Sequence, residues 1–417
     1  MSVASSTGTA TSRPPILARV ESSTVRAQLA MAKERGVYAF SYVFEGAAGP
    51  MFRAPSGQQV LNFGSNNYLG LTTHPRVVAA ARAAVDDFGT GCTGSRLMNG
   101  TLRLHIALEE ELADFYGKEA ALVATTGFGA NMSVLTTLTR PGDWLVCDRD
   151  IHASLLEGAA ASGARVSRFR HNDLRSLGQR LARVPAEDGL LVLIEGVYSA
   201  DGSVAPVADV VAATRPHNGA VLVDEAHALG VLGALGRGAC EEAGCLDDVD
   251  LVTVTFSKAL ASCGGAVLGP LDVIEEMRVS ARSYLFTASN VPAATAAALA
   301  ALRLLREQPE LPATVRRNGD LLRSVAKASG WRVAPGAGPI VGLPLPSIIH
   351  AVIAWRVLMD RGVYCNVFAP PAVPEGQCLL RLSTMATHTE AHFDQLHIAL
   401  EETREALKGS RVKAPTS

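Results

Sequence analysis

No two cysteines in this chain are spaced as C-x-x-C. The seven present (Cys92, Cys147, Cys240, Cys245, Cys263, Cys365 and Cys378) are an odd number scattered over 417 residues. That pattern argues against a disulfide framework and against a zinc site, so no metal is expected, and it fits a reducing, cytoplasmic setting. Blocks of lysine or arginine are also missing and the formal net charge is −2, which leaves no electrostatic footprint for nucleic acid. Long apolar runs are absent too. The most apolar window, Val291 to Leu305, is broken by Arg303 and falls short of the roughly 18 residues of a transmembrane segment, so a soluble protein is expected. The first fifteen residues, MSVASSTGTATSRPP, have no acidic residue and no apolar core; they read as a disordered tail rather than a targeting peptide.

What is present points to an enzyme. Hydrophobic residues make up 48% of the chain and aromatics only 5%, the profile of a compact α/β protein of two or three domains. Helical signals surround Val25 to Arg35. From about Leu61 onward short apolar strands alternate with helix-like segments such as Leu104 to Tyr116 and Leu174 to Arg183. The strand candidates are Ala120–Ala124, Trp144–Cys147, Leu190–Ile194, Ala220–Val223 and Leu251–Val254. Alternation of this kind predicts a parallel sheet covered by helices on both faces, with ligands bound beyond the carboxyl ends of the strands.

Polar residues follow all five strands. TTGFGAN (Thr125–Asn131) is a glycine-bearing turn leading into a helix, a candidate phosphate cradle. DRDIHAS (Asp148–Ser154) holds His152, EGVYS (Glu195–Ser199) follows the third strand, and DEAH (Asp224–His227) the fourth. TFSKALASCGGAV (Thr255–Val267) sets Lys258 between a strand and a Gly-Gly pair, with Ala266–Gly269 reading as a further strand. Each residue has a plainer reading: Asp224 as a helix cap, His152 as a hydrogen-bonded structural histidine, Lys258 as a side chain snorkelling to solvent. Their conjunction matches the needs of one cofactor. Pyridoxal phosphate requires a lysine for a Schiff base, an acid for its pyridine nitrogen, and amide and hydroxyl donors for its phosphate.

Eight ordered stretches between about Asn62 and His388 extend the match. They are NFGSNNYLGL from Asn62, GTGCTGSR from Gly89, Asn99–Thr101, the His152 segment, EGVYSADGSVAP from Glu195, VDEAHALGVLG from Val223, TFSKALASCGG, and LLRLSTMATHT from Leu379. In these the chain resembles the α-oxoamine synthases among the fold-type-I pyridoxal-phosphate enzymes, nearest to the bacterial serine palmitoyltransferase and 8-amino-7-oxononanoate synthase branches. The resemblance implies a mostly parallel sheet covered by helices, with a smaller α+β domain at the C-terminus. The expected division is a tail and helical segment over 1–60, a cofactor domain over 61–300, a small domain over 301–408 and a disordered tail over 409–417.

It also implies roles. Lys258 would carry the cofactor and later remove the substrate α-proton. Asp224 would keep the ring nitrogen protonated, His227 would approach the phenolic oxygen, and His152 would stack on the ring. Gly127, Phe128, Thr255 and Ser257 would hold the phosphate, joined by Thr287 from a second subunit, with Ser199 also at the cofactor. Arg381 and Asn66 would bind the amino-acid carboxylate. The implied reaction is a decarboxylative condensation of serine, alanine or glycine with an acyl thioester, on coenzyme A or acyl carrier protein, in a homodimer with shared sites. An aminotransferase on the same fold is the alternative reaction. A non-catalytic binding module is a third reading, and the presence of Lys258 opposes it. The chain departs from the serine-using branch where an arginine before the Pro-Pro pair is Ala369, and where a tyrosine is Asn66.

Overall fold

The computed structural model describes residues 13–20, 23–34, 38–370, 372–374 and 376–409. The expected terminal tails, 1–15 and 409–417, fall almost entirely outside them. The chain forms two units divided after Tyr42. In the first, the described residues hold a short helix, Pro15–Ala18, and a longer one, Thr24–Glu34. Among the described residues every strand belongs to the second unit.

Among the described residues thirteen strands form three sheets. β1 (Met51–Arg53) and β2 (Gln59–Asn62) pair antiparallel, and β11 (Val363–Tyr364) joins β2 in parallel. The large sheet contains β3 (Ala120–Ala124), β4 (Trp144–Asp148), β5 (Arg165–Phe169), β6 (Leu190–Glu195), β7 (Ala220–Asp224), β8 (Leu251–Thr255) and β9 (Gly265–Gly269), in the order β3-β9-β8-β7-β6-β4-β5. Strands β6, β8 and β9 are buried along their whole length. Continuous apolar runs of this kind belong to strands covered on both faces. The third sheet, ordered β10-β13-β12, is antiparallel and built from β10 (Ile340–Leu345), β12 (Asn366–Phe368) and β13 (Cys378–Ser383). Among the described residues no helix is long and apolar enough to cross a membrane.

The five strands expected from the sequence are present, each matching or extending by one residue. The sheet is mostly parallel, as expected, and the exception is one strand: β9 runs antiparallel to both neighbours, β3 and β8. The reason is local. After β8 the chain turns back within nine residues, Phe256–Gly264, too few for the dozen or more of a parallel crossover. Phe256 N donates to Gly264 O at 2.9 Å and Ser262 N to Phe256 O at 2.9 Å, closing the turn. The Gly-Gly pair makes the turn possible. Gly264 has φ +138°, and a Cβ there would meet the Phe256 ring at 2.6 Å; a Cβ on Gly265 would meet the Gly127 Cα at 2.6 Å. The turn therefore packs against the glycine turn after β3, and Lys258 emerges at the carboxyl edge of the parallel strands.

Candidate active site

That edge is hollow. A cavity of about 240 Å³ is lined by Gly127, Phe128, His152, Asp224, His227, Thr255, Ser257 and Lys258, with Asn131, Ser154 and Glu195 among its other walls. Eight residues expected from the sequence thus meet around one space. Four others stand apart from it. Ser199 and Arg381 meet each other, the guanidinium Nε donating to the Ser199 carbonyl at 2.7 Å. Asn66 lies beside Tyr68 at 3.3 Å. Thr287 follows Phe286, in a segment tied to Gly94 by the Ser289 amide at 2.9 Å.

Strand ends explain the placement. Asp224 closes β7 and Thr255 closes β8. Gly127 and Phe128 head the Gly127–Leu138 helix, capped by Thr126, whose hydroxyl accepts from Gly129 N at 2.9 Å. The first amides of a helix have no intrahelical acceptor and sit at its positive end, which suits an anion. Thr255 Oγ1 donates to Gly264 O at 3.0 Å and lies 2.9 Å from Ser257 Oγ, placing two hydroxyls in the same region.

The Lys258 amine makes no hydrogen bond or ion pair among the described residues, although the Lys258 carbonyl accepts from Ala261 N at 3.0 Å. Burial lowers its pKa to about 8, although Asp224 and Glu195 pull the other way. Loss of solvation penalises the ammonium form, so a free amine is accessible near neutral pH. Asp224 Oδ1 accepts from Ala226 N at 2.9 Å and Oδ2 from Asn131 Nδ2 at 2.8 Å. Glu195, its neighbour across β6 and β7, is pushed well above the usual carboxyl range by burial and then by the Asp224 charge. Its buried Oε1 lacks a hydrogen-bond partner among the described residues.

His227 is held well below the usual histidine range by burial and then by the charges of Lys258 and Arg381. Its Nδ1 lies 2.7 Å from the Tyr68 hydroxyl, which accepts from Arg381 Nη2 at 3.1 Å. The Tyr68 hydroxyl also reaches Asn66 Oδ1 at 3.3 Å, so its single proton serves either His227 or Asn66, and Tyr68 ties both to Arg381. Arg381 itself is 2% exposed, its guanidinium lying over the Phe368 ring at 5.7 Å. Among the described residues it has no carboxylate partner, although buried charges are ordinarily paired.

Sequence reasoning assigned no role to Asn131, Ser154, Glu195 or Tyr68. A signal existed for each: Asn131 lies four residues after Gly127, one helical turn along the same face; Ser154 follows His152 by two; Glu195 ends a strand; and Tyr68 sits inside the NNYLG motif.

This donor set fits pyridoxal phosphate: a free amine, a buried carboxylate, and helix-end amides beside two hydroxyls. Fold and site together define a fold-type-I pyridoxal-phosphate-dependent transferase, and the chain belongs to the aminotransferase class I and II family, which matches residues 58–400. The serine palmitoyltransferase of Caulobacter vibrioides is 44% identical over 360 residues, 86% of this chain and 89% of that protein. The 8-amino-7-oxononanoate synthase of Geobacter sulfurreducens is 38% identical over 380 residues, 90% of this chain and 97% of that protein. A serine palmitoyltransferase from S. paucimobilis, solved as a variant with a bound PLP–myriocin aldimine, matches with a TM-score of 0.91 at 35% identity, covering 95% of this chain and 100% of that one. Within its family the chain is therefore a member of the α-oxoamine synthases, pyridoxal-phosphate-dependent acyltransferases.

Proposed function

We propose that this enzyme condenses a small amino acid with a long-chain acyl thioester, releasing carbon dioxide and free thiol and yielding an α-amino ketone. The observation that carries the reading is the joint presence of an unpartnered Lys258 amine in the cavity and a buried Arg381 without a carboxylate partner among the described residues. One supplies a base, the other a receptor for the amino-acid carboxylate. Pyridoxal phosphate, when bound, supplies an electron sink that eases bond breaking at the amino-acid α-carbon.

The chain's own residues do the rest. Asp224 would hold negative charge against the ring nitrogen, and Gly127, Phe128, Thr255 and Ser257 would hold the phosphate. His227, kept neutral by burial, would stand beside the cofactor's phenolic oxygen, and His152 would line the same space. Lys258 Nζ accepts the substrate α-proton and returns one later. Arg381 fixes the carboxylate with a planar, directional donor pair and so orients the bond to be broken, with Asn66 beside it through Tyr68.

Acyl transfer is favoured over transamination by the extent of likeness to acyltransferases along nearly the whole chain. We place serine, alanine and glycine as candidate amino acids, with coenzyme A or acyl carrier protein as the carrier. The test is direct. Purified enzyme is given each amino acid with a palmitoyl thioester on either carrier, and thiol, carbon dioxide and product mass are followed. Equimolar thiol and carbon dioxide are expected. Transfer of the amino group to an oxo acid, without thiol release, would favour the aminotransferase alternative.

A homodimer with shared sites belongs to the same proposal. The segment holding Thr287 bridges to Ser95 through Ala288. Around that bridge Met98 and Phe286 are each 78% exposed, an apolar surface of the kind subunits cover. Thr287 then serves a partner's phosphate site. Sedimentation of the active enzyme as a monomer would contradict this. Seven free cysteines support a cytoplasmic location.

A further inference from the structure

Asp224 ends strand β7 and His152 caps the Ala153–Ser162 helix, yet one hydrogen-bonded path joins them. Asn131 Nδ2 donates to Asp224 Oδ2 at 2.8 Å and to Ser154 Oγ at 2.9 Å. Ser154 Oγ in turn lies 2.7 Å from His152 Nδ1. Asn131 and Ser154 are buried to 3% and 1% exposure, so these bonds are shielded from bulk solvent.

The direction of each bond follows from chemistry. An ionised carboxylate only accepts, so the amide nitrogen of Asn131, not its oxygen, must face Asp224. Both hydrogens of that nitrogen are then used. Ser154 Oγ accepts one of them and has a single proton left, which goes to His152 Nδ1. The backbone Ser154 N–H also points at His152 Nδ1, at 3.2 Å. Nδ1 is therefore an acceptor, and the ring hydrogen lies on Nε2. On the other side, the Ala226 and Asn131 donors hold both oxygens of Asp224 and fix the carboxylate plane.

We propose that Asn131 is a positioning residue: through Ser154 it ties the Asp224 carboxylate and the His152 ring into one unit, so that the ring-nitrogen partner and the ring-facing histidine are set together. This rests on the cofactor reading above. Asn131 sits in the interior of the 127–138 helix, where alanine is well tolerated, so the effect is separable from folding.

The test uses the full-length holoenzyme. Pyridoxal phosphate dissociation constants are measured by titrating each apo-protein, and the visible absorption band of the bound cofactor is titrated with pH. Asn131→Ala is expected to weaken cofactor binding about tenfold, the loss of a hydrogen bond to a charged group, and to move the midpoint pH of the band. Asn131→Asp keeps the volume but opposes two carboxylates. Its affinity should be poorest at pH 8 and recover toward pH 6, as one carboxyl takes a proton and donates to the other. Ser154→Ala leaves both Asp224 donors in place and should bind the cofactor near parental strength while still moving the midpoint. Should Asn131→Ala fail to fold, Asn131→Asp carries the same test. Parental dissociation constants and midpoints in a folded Asn131 variant would overturn the inference. Failure of the parental protein to take up pyridoxal phosphate would instead overturn the cofactor reading.

Discussion

Asp224 and Lys258 sit at the ends of neighbouring strands, β7 and β8, within 34 residues of each other. Arg381, by contrast, lies inside the small sheet and is held by Ser199, 182 residues away, and by Tyr68, 313 residues away. The first wall is built by local chain geometry: a strand end, a helix cap and a Gly-Gly turn. The second exists only once distant segments have packed. On the function proposed above, this division would separate chemistry from selection: the strand-end residues would hold the cofactor, and Arg381, outside the lining of that cavity, would recognise the substrate. Changes on the first wall should therefore abolish turnover with every substrate, and changes on the second should redistribute preference.

The largest effect is expected at Lys258. Lys258→Ala should reduce turnover by on the order of 10³-fold or more, since it removes both the covalent anchor and the proton acceptor. Steady-state thiol release with each amino acid checks this, and a loss confined to one amino acid would break the division. Asp224→Asn comes next. A neutral amide stabilises a protonated ring nitrogen poorly, so α-proton exchange should slow by on the order of 10²-fold in a folded protein. Exchange at the parental rate would remove Asp224 from its role.

A smaller and more selective effect is expected at Ala369, directly after β12 and next to Phe368, whose ring underlies Arg381. Ala369→Arg adds a charged donor on the selecting wall. It should change the ratio of catalytic efficiencies for serine over alanine or glycine by about tenfold, the scale of one charged hydrogen bond, with little change in overall chemistry. A strong native preference for serine, unaffected by the arginine, would show that this position does not select.

Least in size is a pH effect on stability. Lys258 has its pKa lowered from 10.5 to about 8 in the folded protein, so between those values the unfolded chain binds more protons. The stability of the apo-protein therefore rises with pH across that window, and the full penalty is present below about 8. Lys258→Met removes the buried cation. It should raise the apo-protein Tm at pH 7 by about 2 °C, and the gain should vanish near pH 10.5. Calorimetry across pH 7–10.5 decides; a pH-independent difference would mean that packing rather than charge is responsible.

The same two walls explain what was legible in the sequence. The parallel strands were readable because burial on both faces forces unbroken apolar runs such as LLVLI and AVLV, and their site residues follow immediately. The direction of β9 was not, because a five-residue apolar run looks the same in either sense; only the length of the turn before it decides. The small sheet was invisible to periodicity. Its strand IVGLPL carries a proline and a glycine, and Gly342 stands opposite Arg381 in the register, a relation that spacing cannot express. The Asn131–Ser154 path was hidden for a similar reason. Its members lie on two helices and a strand end, and short polar residues at such places are more often caps than relays.

The measurement closest to the central claim is borohydride reduction of the pyridoxal-phosphate-loaded enzyme, followed by peptide mapping. Reduction fixes the cofactor to the amine that holds it. The adduct should fall on the peptide containing Lys258, the amine that burial leaves free in the cavity. An adduct on any other lysine, or none in a protein that has taken up the cofactor, would contradict the account.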